Sequence, residues 1–169
     1  MVRQGLDDEH STCFRSLATC LTTSHTLFIL SLSFLAISTL KDGDRYLDAC
    51  VRTRGKFEHA HGYYVARIKL QEQPGHWSAF WLYNSSVGKV GDGGRDGTEI
   101  DIMEKPWLDD RVTQNLHWDG YGKHLQHKGT TVTVPGIMDG WHTFALWWKP
   151  DEKEKTASGC CHDRGCVPL

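Results

Sequence analysis

The chain has 169 residues, enough for one domain and not comfortably for two. Its 19 Lys and Arg against 21 Asp and Glu leave a formal charge of −2, which excludes the basic footprint of a nucleic-acid or anionic-membrane binder. Seven tryptophans lie between Trp77 and Trp148, and with 17 glycines, 5 prolines and no heptads they point to a β-rich protein with a stacking surface.

Residues 1–40 differ in composition from the rest and are unassigned. Within them, residues 27–40 form an apolar run interleaved with Ser and Thr. The run has the length of a signal-peptide core, but it follows Asp7, Asp8 and Glu9, where a signal would be basic. It is short for a transmembrane helix, so an anchor and a buried strand or helix stay open, and membrane contact is expected only through it. Cys13, Cys20 and Cys50 precede the tryptophan-rich middle and Cys160, Cys161 and Cys166 follow it, so the middle cannot depend on a disulfide within itself.

From residue 41 the composition is that of a β domain. Residues 46–53 read as a strand, followed by a basic stripe of Arg52, Arg54 and Lys56, which suits a solvated strand face. Residues 62–70 alternate well, with Tyr64, Ala66, Ile68 and Leu70 on one side and Tyr63, Val65, Arg67 and Lys69 on the other. A polar turn with Pro74 and Gly75 follows. Residues 77–83 place Trp77, Ala79, Trp81 and Tyr83 on one face and Phe80 and Leu82 on the other, which suits a protein core. The aromatic ladder fits either sugar rings, whose axial C–H bonds pack on flat π faces, or ordinary sandwich packing. Residues 84–97 are a glycine-rich loop without the ending of a phosphate-binding loop. Asp92 and Asp96 lack the regular ligand spacing of a calcium loop, so a flexible crossing is expected.

Residues 98–106 carry Glu99, Asp101 and Glu104 in what otherwise reads as a buried strand. Glu99 and Asp101 alternate with Ile100 and Ile102, so the acids share one face. Glu104, five residues after Glu99, falls on the wrong side unless a β-bulge near Ile102 and Met103 returns it to the acidic face. Three converging carboxylates suit acid–base chemistry, but a half-solvated outer sheet face or a metal site would present the same residues. Residues 112–118 alternate again, with Asn115 and His117 on one face; beside the acidic strand, His117 would bias carboxylate protonation. His124 and His127 make a weak metal suggestion. Residues 129–134 and 140–149 read as further strands. The tail, 153–169, is polar and then cysteine-rich. It shows no strand alternation and only a loose likeness of Cys160, Cys161, His162 and Cys166 to a thiolate cluster.

The succession Gly-Tyr-Tyr-Val-Ala-Arg-Ile-Lys at 62–69, Gly-His-Trp-Ser-Ala-Phe-Trp-Leu at 75–82 and Glu-Ile-Asp-Ile-Met-Glu at 99–104 resembles glycoside hydrolase family 16. His117-Trp118 and Gly-Trp-His-Thr-Phe-Ala at 140–145 continue the likeness in order, over residues 41–152. The six-residue acidic motif is similar to the laminarinase branch, an endo-β-1,3-glucanase type.

This resemblance implies an all-β, concanavalin-like jelly-roll sandwich, here incomplete at the C-terminus. The partial core spans 41–152 and a divergent cysteine-containing tail spans 153–169. It implies Glu99 as nucleophile, Glu104 as general acid/base and Asp101 as the helper between them, with Trp77, Trp81 and His117 binding substrate. The expected function is retaining cleavage of internal bonds in a polysaccharide, with β-1,3-glucan favoured over an agar or carrageenan galactan. A non-catalytic carbohydrate-binding sandwich and an inactive truncated fragment are the competing readings. No cofactor and no catalytic metal are expected. Calcium is a structural ion in many family members, and its ligands are not assignable here. The implied location is extracellular or periplasmic.

Overall fold

The computed structural model describes residues 28–30, 34–149, 157–162 and 165–167. The chain divides into two compact units, residues 1–58 and 59–169.

In the first unit, β1 (Phe28–Leu30) pairs antiparallel with β2 (Leu35–Ile37), and β3 (Leu40–Asp42) with β4 (Arg45–Leu47). The apolar run 27–40 is therefore built, where described, from short strands. Among the described residues no helix is long and apolar enough to cross a membrane. The strand expected over 46–53 is confined to β4. Beyond Leu47 the chain turns on itself, with Lys56 N and Phe57 N both donating to Thr53 O at 2.9 Å and Gly55 at φ 70. That bend leaves Arg52, Arg54 and Lys56 in an exposed loop.

The second unit holds two four-stranded antiparallel sheets. One has the order β12-β11-β10-β5, from β5 (Gly62–Lys69), β10 (Trp141–Trp148), β11 (Ala157–His162) and β12 (Gly165–Val167). The other is a meander, β6-β7-β8-β9, from β6 (Ser78–Tyr83), β7 (Glu99–Lys105), β8 (Arg111–Trp118) and β9 (Gln126–Thr133). The tail read as strandless therefore corrects to two strands. Ala157–His162 pairs with β10 through Ala145↔Cys161 and Trp148↔Ala157. Small and cysteine residues give no period-2 contrast, so this strand is specified by the neighbouring β10 edge and not by its own pattern. The suggested thiolate cluster rests on side chains outside the described residues.

Alternation elsewhere follows the sequence. Along β5 inner and outer residues alternate at every position. The inner Tyr64 donates its hydroxyl to His59 O at 2.6 Å, and Ile68 packs against the core. The core lies between the sheets: Ile100, Ile102, Met103 and Val112 from the meander meet Phe144 and Leu146 from β10, with Phe80 and Leu82 packed alongside. Such a core is driven by apolar burial, and it needs β7 to be apolar on one side only.

β7 lies between β6 and β8, so both of its backbone edges are hydrogen-bonded. Its register with β8 runs Asp101↔Asn115 and then Glu104↔Thr113, three residues against two. With β6 it runs Phe80↔Met103 and then Trp81↔Asp101, so Ile102 is the inserted residue. The bulge expected near Ile102 and Met103 is there. It places two consecutive apolar side chains in the core, Ile102 and Met103, and returns Glu104 to the face of Glu99 and Asp101.

Lys105 then falls on the core side and is fully buried. Its ammonium donates to Trp107 O and Asp109 O and lies 4.0 Å from the Asp109 carboxylate. Buried charge is tolerated only when paired and hydrogen-bonded, and here it ties the β7–β8 turn to the end of the acidic strand.

Candidate active site

Directly opposed residues in an antiparallel sheet share a face, so the register assembles the site row by row. One row reads Tyr83–Glu99–His117–His127 and the next Trp81–Asp101–Asn115–Gly129. The third reads Ala79–Glu104–Thr113–Thr131. The three carboxylates are thus stacked along β7, with aromatics from β6 on one side and polar residues from β8 on the other.

Each carboxylate has a different environment. Glu104 accepts from Trp77 Nε1 on Oε1 at 2.9 Å and from Asn115 Nδ2 on Oε2 at 2.6 Å. One donor on each oxygen fixes the plane of the carboxyl group. Glu99 Oε2 accepts from the hydroxyl of Tyr121. Asp101, between them, is 2 % exposed and has His117 Nε2 3.3 Å from its Oδ2. That contact is an ion pair without the alignment of a hydrogen bond, because Oδ2 has no aligned donor among the described residues.

The electrostatics follow from this placement. Burial pushes the Asp101 carboxyl up to about 6, the charges of Glu104 and Glu99 add to the rise, and His117 opposes it. The His117 imidazole is held above its usual value, first by its contact with Asp101 and against the cost of its own burial. Asp101 and His117 are therefore coupled, and the proton affinity of each depends on the charge of the other. Burial and the Glu99 contact hold the Tyr121 phenol well above its ordinary value, so it stays a donor.

The aromatic ladder faces solvent. Trp77, Trp81 and Tyr83 are 55 %, 41 % and 50 % exposed, and Trp81 meets Tyr83 edge to face at 5.6 Å. Exposed indole faces beside the acids are what a sugar ring stacks on. Trp77 has both an exposed ring and an N–H that donates to Glu104, so its two roles separate by substitution. Trp77→Phe keeps a stacking face and removes the N–H, and is expected to lower kcat while leaving KM near wild type. Trp81→Ala is expected to raise KM roughly 10-fold, the size of a lost aromatic contact. Steady-state kinetics of the two variants check both outcomes.

Trp77, Trp81, Glu99, Asp101, Glu104 and His117 thus come together on one sheet face. Sequence reasoning missed Tyr121 and did not use Asn115 as a partner of Glu104. It also missed Gly129. A Cβ at Gly129 would lie 2.0 Å from Asn115 Oδ1 and 2.9 Å from Gln114 O, so only glycine leaves room for the Asn115 amide turned toward Glu104. The signal was in the register: a glycine inside a strand marks a close approach. Gly129→Ala should displace Asn115 and cost roughly 10- to 100-fold in kcat, the worth of a hydrogen bond to a charged group. Asn115→Ala should cost about the same, and the double variant no more, when kcat is measured for all three.

His127 stacks on His117 at 6.1 Å between ring centroids, whereas His124 lies in the β8–β9 turn. Among the described residues no group of three His, Cys, Asp or Glu side chains is arranged to hold a metal ion. The glycine-rich loop, expected to be a flexible crossing, is tied down. Ser85–Gly88 is a short 3-10 turn capped by Asn84, Val87 is buried, and Asp92 accepts from Gly94 N and Asp96 N at 2.7 and 3.0 Å.

Comparison with known proteins identifies the family. The family model for glycosyl hydrolases family 16 matches residues 16–154. A β-glucanase of Rhodothermus marinus is 30 % identical over 113 residues, covering 66 % of this chain and 40 % of that protein. The laminarinase structure from Flavobacterium sp. UMI-01 superposes with a TM-score of 0.62 at 30 % identity, covering 79 % of this chain and 55 % of that one. The laminarinase catalytic domain from Thermotoga petrophila does so at 0.54 and 26 %, covering 80 % and 56 %. The chain thus spans about half the length of the relatives it matches. Two antiparallel sheets, the bulged acidic strand and the family match over most of the chain agree, and the chain belongs to glycosyl hydrolases family 16.

Proposed function

We propose that this chain carries the catalytic face of an endo-acting, retaining β-glycanase, with β-1,3-glucan as the favoured substrate. The observation that carries this reading is the bulge at Ile102, which brings Glu104 onto the face of Glu99 with Asp101 buried between them. A structural strand has no use for that device, whereas retaining hydrolysis needs two carboxyl groups on one side of a glycosidic bond.

In this reading Glu99 attacks the anomeric carbon while Glu104 protonates the departing oxygen. A carbon–oxygen bond to Glu99 forms as the glycosidic bond breaks. Glu104, then unprotonated, takes a proton from water as the water displaces Glu99, and the site returns to its starting state. Asp101 and His117 hold a proton beside both acids and damp the change in charge as Glu104 gives up and regains its own. Trp77 and Trp81 supply stacking faces for the rings on either side of the bond. The names of the relatives, a β-glucanase and two laminarinases, support a β-glucan over a galactan. A polymer of that size does not cross a membrane, which supports an extracellular or periplasmic setting.

The test is product analysis on a panel of β-1,3-glucan, mixed-linkage glucan, agarose and carrageenan. Release of oligosaccharides of several lengths from the β-glucans, with the galactans untouched, is the expected result. Binding to insoluble glucan without any reducing-sugar release would favour the non-catalytic sandwich instead.

A further inference from the structure

The turn between β8 and β9 brings Tyr121 over the outer end of the acidic strand, where its hydroxyl donates to Glu99 Oε2. Tyr121 lies outside any strand, and the backbone leading to it is unusual. Asp119 sits at φ 59, a left-handed conformation uncommon outside glycine although aspartate adopts it more readily than most residues, and Gly120 follows at φ 81. Two hydrogen bonds tie this backbone to the glycine-rich loop. Gly91 N donates to Asp119 Oδ1 at 3.1 Å, and Gly120 N donates to Val87 O at 2.7 Å.

The same loop is built to lie close. A Cβ at Gly94 would meet Trp118 Cβ and Thr98 Oγ1, each at 2.9 Å, and one at Gly97 would lie 2.3 Å from the Ser86 backbone. Glycines at these positions let the loop pack against the end of β8 and clasp the turn that follows. A left-handed turn, its two hydrogen bonds to the loop and close-approach glycines all converge on the placement of one phenol.

We propose that Tyr121 is a positioning residue of this site: its hydroxyl holds Glu99 Oε2 so that Oε1 is the attacking oxygen, and the loop 84–97 keeps it there through Asp119 and Gly120. This rests on the glycosidase reading given above. A carboxylate pinned by one oxygen presents the other in a fixed direction, which is what positioning contributes to a displacement. In the covalent intermediate the same hydroxyl donates to the ester oxygen that is not bonded to sugar, so the contact is kept through both half-reactions.

The experiment has two arms on the full chain. In the first, tyrosines are labelled with 13C at Cζ, and the Tyr121 signal is assigned by its loss in Tyr121→Phe. Glu99→Gln should shift that signal, and a Tyr121 signal indifferent to Glu99→Gln overturns the contact. In the second arm, Tyr121→Phe should lower kcat roughly 10- to 100-fold with KM within about twofold of wild type. Asp119→Gly tolerates the backbone conformation but removes the tie, and should lower kcat in the same way; Asp119→Asn keeps an acceptor and should restore it. The double variant Asp119→Gly/Tyr121→Phe should be no slower than Tyr121→Phe alone. Additive losses, or a raised KM with unchanged kcat, overturn the proposed role. A wild-type chain that releases no sugar from any glucan overturns the glycosidase reading and the positioning role with it, while the tyrosine signal still decides the contact.

Discussion

Glu99→Gln is expected to reduce glucan hydrolysis to background while leaving the cooperative thermal unfolding of the chain intact. The side chain lies on the open face of β7, its backbone neighbours Ile100 and Ile102 carry the packing, and the amide is nearly isosteric with the carboxylate. In the proposed mechanism the substitution removes the negative oxygen that attacks the anomeric carbon. Glu104→Gln should behave differently. It leaves the nucleophile in place and removes the proton donor, a loss of about 10²–10⁴-fold on natural glucan. On an aryl glycoside with a strongly acidic leaving group the first step needs no proton. The variant should then release aryl alcohol rapidly, stall as the glycosyl-enzyme, and be rescued by azide. A burst followed by azide rescue for Glu104→Gln, and neither for Glu99→Gln, separates the two roles. The reverse pattern would exchange them.

Asp101→Asn is expected to stabilise the fold at pH 7 while impairing activity. The carboxyl of Asp101 is raised from 3.8 to about 6, chiefly by burial. A folded-state value above the unfolded one means that the fold binds the proton more tightly, so stability falls as pH rises through the window between them. The cost is absent below about pH 4, grows to about pH 6 and is then complete, on the order of 3 kcal/mol. His117, also raised above its usual 6.5, acts in the same direction: its stabilisation is present below 6.5 and is lost as pH rises past the folded value. Wild type should therefore become less stable from pH 4 to pH 8. Asp101→Asn should lose its own part of that decline and most of the His117 part, since contact with Asp101 is the first cause of the His117 rise, as read from denaturation midpoints at several pH values. Equal pH slopes for the two chains would contradict the assignment. A site that holds a buried acid against its solvation preference trades stability for chemistry, as functional sites commonly do.

Much of this arrangement was legible in residue spacing, and the rest was hidden for identifiable reasons. Glu99, Asp101 and Glu104 declared the bulge by themselves, because an odd offset of five between acids on one face requires an inserted residue. The alternation along β5 and β6 sorted the aromatics onto two faces, because period-2 patterning is local, but left open what the Trp77, Trp81 and Tyr83 face meets. Tyr121, Asn115 and Gly129 were not legible as a set. Their contacts depend on the β8–β9 register and on a loop clasp, and residues in a turn carry no periodicity to announce them. The burial of Lys105 was not legible either. Only the inserted Ile102 turns it inward. Residues 46–53 misled by composition, since only Arg45–Leu47 pairs, with β3, and residues 48–53 join no sheet. The tail 157–167 misled in the opposite direction, because the edge of β10 recruits strands that have no pattern of their own.

The central claim is that Glu99 and Glu104 act as nucleophile and acid/base on one sheet face, and the stereochemistry of the first product tests it most directly. Hydrolysis of a β-1,3-glucan followed by proton NMR from the first minutes should show the β-anomer of the new reducing end, with the α-anomer appearing later by mutarotation. An α-anomer formed first, or no reducing end at all from a folded chain, would contradict the account.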